Sequence, residues 1–242
     1  MKTTKKALLF TFCAVLLVVA SVLGTMAYLP SSETVTNTFT VGKVNIKLDE
    51  AKVNEYGNPV NDQGEIVGLE EAPRQEKNTY KLLPGHEYVK DPTVTIVEDS
   101  EDAYIRAIVT VKNIDNLRKT FTNVKYYGND NVFLLQNLVD GWDSNKWIFS
   151  SYKDEDKNGK YEFRYTDSYV NGVSTNTALP ALFTSIIVPG EEVTNDNIGN
   201  LTSVVIDVEA HAIQADGFEN ADEAWEAFDN QIKTSQATTE NN

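Results

Sequence analysis

Cysteine is nearly absent from this chain, whose 242 residues include only Cys13. That residue lies in an apolar N-terminal stretch, so disulfides, thiol catalysis and thiolate metal sites are excluded from the rest of the chain. Histidine is also scarce, occurring only as His86 and His211. His211 lies with Asp207 and Glu209 on the polar face of its segment, so it is expected to face solvent. No His-Glu-x-x-His helix, Gly-x-Ser-x-Gly turn or phosphate-binding glycine loop is present. The sequence therefore predicts a protein that is not an enzyme and has no cofactor.

Basic residues are in the minority. The chain has 21 Lys and Arg against 36 Asp and Glu, which gives a formal net charge of −15 at pH 7. Such an excess of negative charge repels nucleic acids and anionic membrane surfaces, so neither is expected as a partner. A hydrophobic content of 41% is typical of a globular domain.

The first 27 residues have the pattern of a signal peptide. Three lysines precede an apolar run from Ala7 to Leu23. Thr25 and Ala27 are small residues at the −3 and −1 positions of a cleavage site, with Tyr28 as the new N-terminus. An uncleaved membrane anchor is the alternative. Cleavage predicts a secreted protein with no stable membrane span, which meets a signal peptidase during export.

Alternating hydrophobic residues dominate the remaining sequence. Two long segments, 103–112 and 202–215, each place five apolar residues on one face. Segments 145–153 and 160–166 flank "DEDKNG" and predict a hairpin. This density of strands predicts a mainly β fold, an antiparallel jelly-roll-like sandwich with one or two short helices and an exposed insertion.

The domain boundaries follow from composition. We predict a signal peptide over 1–27, one β-sandwich domain over 28–233 and a disordered tail over 234–242. Residues 54–78 are polar and rich in turn residues, which indicates an exposed loop or insertion. The clearest helix is predicted over 220–232, with Asn220 as its N-cap.

One acidic turn has partial calcium-loop spacing. Asp154, Asp156 and Asn158 occupy positions 1, 3 and 5, and Gly159 occupies position 6. Position 12 is Tyr165 rather than a bidentate glutamate, and the flanking segments are predicted strands. A plain acidic hairpin turn is therefore the favoured interpretation, and a weak calcium site is the alternative.

The apolar pattern changes parity shortly after the predicted cleavage site. Val35, Phe39 and Val41 lie at odd-numbered positions and share one face of an extended chain. After Gly42 the apolar residues lie at even-numbered positions, as Val44, Ile46 and Leu48. Glycine permits a bulge or bend at such a switch.

Three segments together resemble the TasA/camelysin family of exported proteins of Gram-positive bacteria. These segments are "GTMAYLPSSETVTNTFTVGKVNIKLDEAKV" (24–53), residues 81–111 and residues 206–228. Signal peptides of that group are characteristically removed by a dedicated signal peptidase of the endoplasmic-reticulum type. The resemblance implies a jelly-roll domain that works outside the cell.

The resemblance also implies two activities. TasA-like members form biofilm-matrix fibres, in which the N-terminal strand of one subunit completes the sheet of its neighbour. Camelysin-like members have been classed as surface metallopeptidases, but this chain has no zinc-protease motif to carry that role. For this chain, strand donation would place Val35, Phe39 and Val41 in the neighbour and Gly42 at the bend. The alternative is a first strand that crosses between the two sheets of its own sandwich.

The leading functional hypothesis is a secreted, non-enzymatic structural protein of the extracellular matrix or cell surface. It would form a head-to-tail homopolymer and meet other matrix or cell-wall components. A surface metallopeptidase is one alternative. The other is a monomeric adhesin or glycan-binding module with exposed aromatic residues, although those aromatics are more typical of a sandwich core. They are Tyr126, Tyr127, Trp142, Trp147 and Tyr152.

Overall fold

The computed structural model describes residues 44–121, 135–136, 138–166, 168–194 and 196–239. The strands are β1 (Ile46–Ala51), β2 (Arg74–Gln75), β3 (Glu87–Val89), β4 (Thr93–Ile96), β5 (Ala103–Lys112), β6 (Val139–Asp140), β7 (Trp147–Glu155), β8 (Asn158–Tyr165), β9 (Thr177–Ala178), β10 (Ser185–Ile187) and β11 (Val205–Gln214). The α-helices are α1 (Ile114–Thr120) and α2 (Ala221–Thr239), and short 3-10 helices cover Leu69–Glu71 and Ile198–Ser203.

The strands form three antiparallel sheets. The strand orders are β2-β1-β4-β9 in the first sheet, β3-β10-β6 in the second and β11-β5-β8-β7 in the third. The third sheet holds the longest strands, and β5 is paired along its length with β11 on one side and β8 on the other. The predicted mainly β, antiparallel fold class is confirmed, and the open sheets are consistent with a sandwich.

The main hydrophobic core lies on one face of the third sheet. Ile105, Ala107, Val109 and Val111 of β5 are all buried there, as their alternation predicts. Side chains of β4 enter the same core from the first sheet. Trp147 at the start of β7 is fully buried, and its indole N–H donates to a backbone carbonyl at 2.8 Å. Apolar side chains from different sheets thus share one interior.

Helix α2 covers the opposite face of the third sheet. Trp225 and Ala224 of the helix are buried against Tyr104 of β5, forming a second, smaller core. Asn220 caps the helix by accepting the N–H of Glu223 at 3.0 Å, as predicted. Within the described residues, no helix combines the length and apolar character needed to cross a membrane.

Helix α2 also continues beyond its predicted end at residue 232. It extends to Thr239, so most of the tail predicted to be disordered from residue 234 is helical. Residues 240–242 lie outside the described residues. Without a proline or glycine after position 232, nothing in the sequence ends the helix there.

The predicted insertion at 54–78 is exposed in part and contains short structured pieces. Isolated bridges join Val53 to Pro59 and Val60 to Ile66, and β2 pairs with β1. Gly57 has a φ of +77° and lies so close to β3 that an added Cβ would be 2.6 Å from the Tyr88 Cα. Only glycine fits this contact without displacing the backbone.

Strands β7 and β8 form the predicted hairpin. The turn is shorter than the predicted connection over residues 154–159. Asp156 and Lys157 are the two turn residues, with φ values of 50° and 67°. Two consecutive positive φ values are typical of a type I′ turn. Gly159 belongs to β8 instead of the turn. A larger residue would not fit there, because Ile114 of α1 and the Tyr152 ring occupy the space of a Cβ.

Candidate assembly site

Strand β11 forms one edge of the third sheet. All ten of its residues are in register with β5, from Val205 opposite Lys112 to Gln214 opposite Ala103. Among the described strands, none is hydrogen-bonded to its other side. An edge strand of this length presents a row of backbone N–H and C=O groups that can pair with a further strand.

The two faces of β11 differ in chemistry. Its inward-facing residues pack against the main core but are only partly buried. These residues are Ile206, Val208, Ala210 and Ala212. On the outward face, Asp207 pairs with Lys112 at 2.5 Å, and the Glu209 side chain is 68% exposed. An added strand could therefore cover apolar surface on one face and remain hydrated on the other.

Strand β7 forms the opposite edge of the same sheet, and it carries features that discourage pairing. Its register with β8 shifts between Phe149 and Ser151, which marks a bulge or irregularity. Its last residues, from Lys153 to Glu155, are charged and exposed. Bulges and edge charges protect a strand from adding a partner. The edge of β11 is regular over its ten residues.

Strand β1 runs close to β11, at the side where the first and third sheets meet. The described chain begins just before β1 and is fixed there by Ser100. The Asn45 N–H donates to Ser100 Oγ at 3.1 Å, and that hydroxyl donates back to the Asn45 carbonyl at 3.0 Å. These two hydrogen bonds anchor the described chain at Asn45.

The predicted inward row of the first strand is confirmed for two residues. Ile46 and Leu48 pack against the main core, whereas Lys47 between them is exposed. The predicted cleavage site and assembly strand lie outside the described residues. They are Ala27 and Tyr28 at the cleavage site, and Val35, Phe39, Val41 and Gly42 of the assembly strand.

A buried arginine holds helix α2 on the outward face of the sheet. The Arg106 side chain is only 5% exposed. Its guanidinium lies 4.5 Å from the Trp225 ring centroid and 5.1 Å from that of Phe228. It also pairs with Asp229 at 2.5 Å and with Glu162 at 3.4 Å. The hydrogen bond from Arg106 keeps the pKa of Asp229 below its usual 3.8.

His211 belongs to this cluster, and the prediction that it faces solvent is wrong. Its Nδ1 lies 3.2 Å from Arg106 Nε, and its ring lies 5.0 Å from that of Phe228. Burial under α2 and the nearby Arg106 charge lower its pKa from 6.5, although Glu209 and Asp229 partly oppose this. The polar face of β11 looks exposed in the sequence because the covering helix comes from a separate segment.

The three candidate calcium ligands lie on the β7–β8 hairpin. The Asp154 carboxylate accepts hydrogen bonds from Tyr152 at 2.6 Å and Arg118 at 3.0 Å. Slight burial raises the pKa of Asp154, but these hydrogen bonds outweigh it, so the net shift is below 3.8. Asn158 pairs with the residue after Asp154, so the two side chains leave opposite faces of the hairpin. Asp156 occupies the turn itself.

The aromatic residues considered for glycan binding lie mostly in the interior. Trp142 packs on Phe163 with ring centroids 5.3 Å apart, and its indole N–H donates to the Trp147 carbonyl at 2.7 Å. Tyr152 packs against Tyr161 at 4.8 Å. Tyr126 and Tyr127 lie outside the described residues. The described aromatics therefore act as core and strand-pair partners, as the sequence favoured.

Over the ranges that the structure covers, no group of three or more His, Cys, Asp or Glu side chains is arranged to hold a metal ion. Comparison of the chain with protein-family models, with curated proteins and with solved structures finds no match. The candidate assembly site therefore rests on the edge of β11, the helix that flanks it and the N-terminal sequence.

Proposed function

We propose that this chain is a secreted, non-enzymatic structural protein of the extracellular matrix or cell surface. Its subunits join head to tail, with the N-terminal segment of one copy added to the sheet edge of the next. The observation that carries this proposal is the regular, ten-residue edge strand β11. A contact of this kind does not close on itself, so repetition produces a filament.

The acceptor would be the outer edge of β11. Here the inward side chains of β11 are only partly buried, so a further strand would remove apolar surface from water. Backbone pairing along the edge would supply affinity, and alternate side chains would supply specificity. The regular β11 edge is favoured over β7, because β7 has a register shift and a charged end.

The donor would be residues 28–41, which follow the predicted cleavage site. Val35, Phe39 and Val41 form an apolar row that could extend the row of β11. This segment has 14 residues, so in an extended conformation it would be long enough to pair with all ten residues of β11. Removal of the signal peptide would release the donor, so export and assembly would be coupled through one cleavage.

Charge would control when subunits join. Without the three lysines of residues 1–27 the formal net charge is 18 − 36 = −18, which keeps separate copies apart at neutral pH and low ionic strength. Salt screens this repulsion, and acid protonates carboxylates, so both should increase the fibre yield. A yield that is independent of both pH and ionic strength would contradict electrostatic control.

Truncation tests the donor. Protein that begins at Tyr28 should form fibres visible by electron microscopy when it is concentrated at mildly acidic pH. Protein that begins at Gly42 keeps β1 and the whole core, so it should remain folded by circular dichroism and monomeric by light scattering. Equal fibre formation by the two proteins would refute a role for residues 28–41.

Engineered cysteines test the acceptor, because the chain after residue 27 contains no thiol of its own. One protein carries Thr40→Cys in the donor, and a second carries Glu209→Cys on the exposed face of β11. Mixing them under oxidising conditions should give a disulfide-linked heterodimer, which only contact between two molecules can produce. The matched control replaces Glu209→Cys with Glu155→Cys at the end of β7, and we expect little cross-linking there.

Two other outcomes would favour the alternatives. A protein carrying both Thr40→Cys and Glu209→Cys that cross-links only within one chain would show that the first strand belongs to its own sandwich. Casein cleavage that is abolished by a chelator, with a transition metal bound to the purified protein, would support the metallopeptidase instead.

A further inference from the structure

A lysine, a glutamate and an asparagine meet at the side of the first sheet. Glu50 is the fifth residue of β1, Asn78 follows β2, and Lys90 follows β3. Lys90 Nζ lies 2.7 Å from Glu50 Oε2, and Asn78 Nδ2 donates to Glu50 Oε1 at 3.0 Å. One carboxylate therefore holds an amine and a carboxamide side by side.

The asparagine amide is held in one orientation. Its Nδ2 also donates to the Ala51 carbonyl at 2.8 Å. Its Oδ1 accepts the Val53 N–H at 3.0 Å and a second hydrogen bond from Gln75 Nε2. Two donors aimed at an amide oxygen stabilise the negative charge that forms there when a nucleophile attacks the carbon.

The amine and the carboxylate are largely shielded from water, and the asparagine is partly buried. The Glu50 side chain is 6% exposed and that of Lys90 is 11% exposed. The Tyr80 ring lies 6.0 Å from Lys90 Nζ. Burial, together with the nearby Glu50 charge, raises the pKa of Tyr80 far above its usual 10.0. A poorly hydrated site lowers the cost of moving a proton from the ammonium to the carboxylate.

We propose that Lys90 and Asn78 form an intramolecular isopeptide bond, with Glu50 as the acid–base catalyst. The bond would join the segment after β2 to the segment after β3. It is a covalent modification within one molecule and does not depend on strand addition, so its test is separate from that of the proposed function.

The reaction balances without a cofactor. Glu50 takes a proton from the Lys90 ammonium, and the free Nζ attacks Cγ of Asn78. The Nζ–Cγ bond forms as negative charge collects on Oδ1, where the Val53 N–H stabilises it. Glu50 then passes its proton to Nδ2, the Cγ–Nδ2 bond breaks, and ammonia leaves. The remaining proton from Nζ returns to Glu50 or leaves with the ammonia as ammonium.

A neighbouring ion-pair cluster lacks this chemistry and provides a matched control. Arg74 binds Asp49 and Asp91 in the same sheet, and both carboxylates are buried. A guanidinium is not a nucleophile at neutral pH, and the hydrogen bonds of Arg74 go to the side chains and backbone carbonyls of Asp49 and Asp91. If the Lys90 cluster were only a buried salt bridge, it would form no covalent bond, as is expected of the Arg74 cluster.

Mass spectrometry of the folded, full-length mature protein tests the bond directly. The intact mass should be lower than that of the sequence by one molecule of ammonia. Trypsin does not cleave after a modified lysine, so residues 78–81 should remain attached to residues 82–106. An unchanged mass after prolonged incubation, with release of peptide 82–90, would overturn the proposal.

Variants assign the roles. Glu50→Gln and Lys90→Arg should both restore the full mass, and Arg74→Lys should keep the ammonia deficit. The cross-linked protein should also melt at a higher temperature than Lys90→Arg. A cross-link that forms at the wild-type rate in Glu50→Gln would refute catalysis by Glu50. Loss of water with Lys90 attached to Glu50, or conversion of Asn78 to aspartate without a cross-link, would refute Asn78 as the acceptor.

Discussion

Replacing Arg106 with methionine should detach helix α2 from the sheet. Methionine keeps most of the volume and the apolar stem of the side chain, but it removes the charge that lies over Trp225 and Phe228. It also removes one of the two ion-pair partners of Glu162, which stays paired with Arg164 at 2.9 Å. Asp229 loses its partner too, but this carboxylate is 44% exposed and can be hydrated.

The magnitude follows from these contacts. Removing one member of a buried ion pair costs roughly 3–5 kcal/mol, because the other charge is left unpaired. Hydration of Asp229 and the remaining Arg164–Glu162 pair lower this cost, so we expect Arg106→Met to lose about 2–3 kcal/mol of unfolding free energy. The lost cation–π contacts, worth up to about 2 kcal/mol when desolvated, are part of this figure.

Urea denaturation followed by circular dichroism measures the effect, and hydrogen exchange locates it. We expect faster exchange in α2 and unchanged exchange in β5. Arg118→Met is the control, because Arg118 pairs with Asp115 and Asp154, which are both more than half exposed. Such a surface pair contributes about 0–1 kcal/mol. Equal losses in the two variants would refute the assignment of Arg106 as the residue that holds α2.

Three further predictions concern other parts of the domain. Gly64→Ala should lower the free energy of unfolding by about 1 kcal/mol, because the position has a positive φ. Gly57→Ala should cost roughly 1–3 kcal/mol more, because its Cβ would also meet Tyr88 of β3. Equal melting temperatures of the two variants would contradict this. Acid should weaken α2 docking in two steps, below the ordinary pKa of His211, 6.5, and below that of Asp229, 3.8. Both folded pKa values are depressed, so the unfolded chain takes up these protons first. Hydrogen exchange of α2 against pH checks both steps, and His211→Asn should remove the upper one. Calcium titration should leave the melting temperature unchanged, because Asp154 is already engaged; a calcium-dependent rise that Asp156→Asn abolishes would revive the metal site.

The sequence predicted the elements whose burial depends on local alternation. The apolar row of β5 and that of β11 face the core, because period-two patterning directly places alternate side chains on one face. The capped start of α2 was also predictable, since Asn220 and Glu223 lie within one turn.

The sequence could not predict contacts between distant segments. Arg106 reads as an isolated charge in an apolar strand, yet its partners Glu162 and Asp229 come from β8 and α2. Glu50, Asn78 and Lys90 form no local motif, because 28 and 40 positions separate Glu50 from its two partners. Such groups meet only after the sheets have formed, so no spacing rule identifies them.

The paired hydrogen bonds between Asn45 and Ser100 have a mechanical consequence. A pulling force that arrives along the chain before residue 44 acts first on these bonds, before it reaches the ladder between β1 and β4. The Val97 N–H, which donates to the Asn45 carbonyl at 2.9 Å, shares that tension. Resistance to extension therefore begins one residue ahead of the strand, and loss of the Ser100 hydroxyl would leave the Val97 N–H to carry that tension at Asn45.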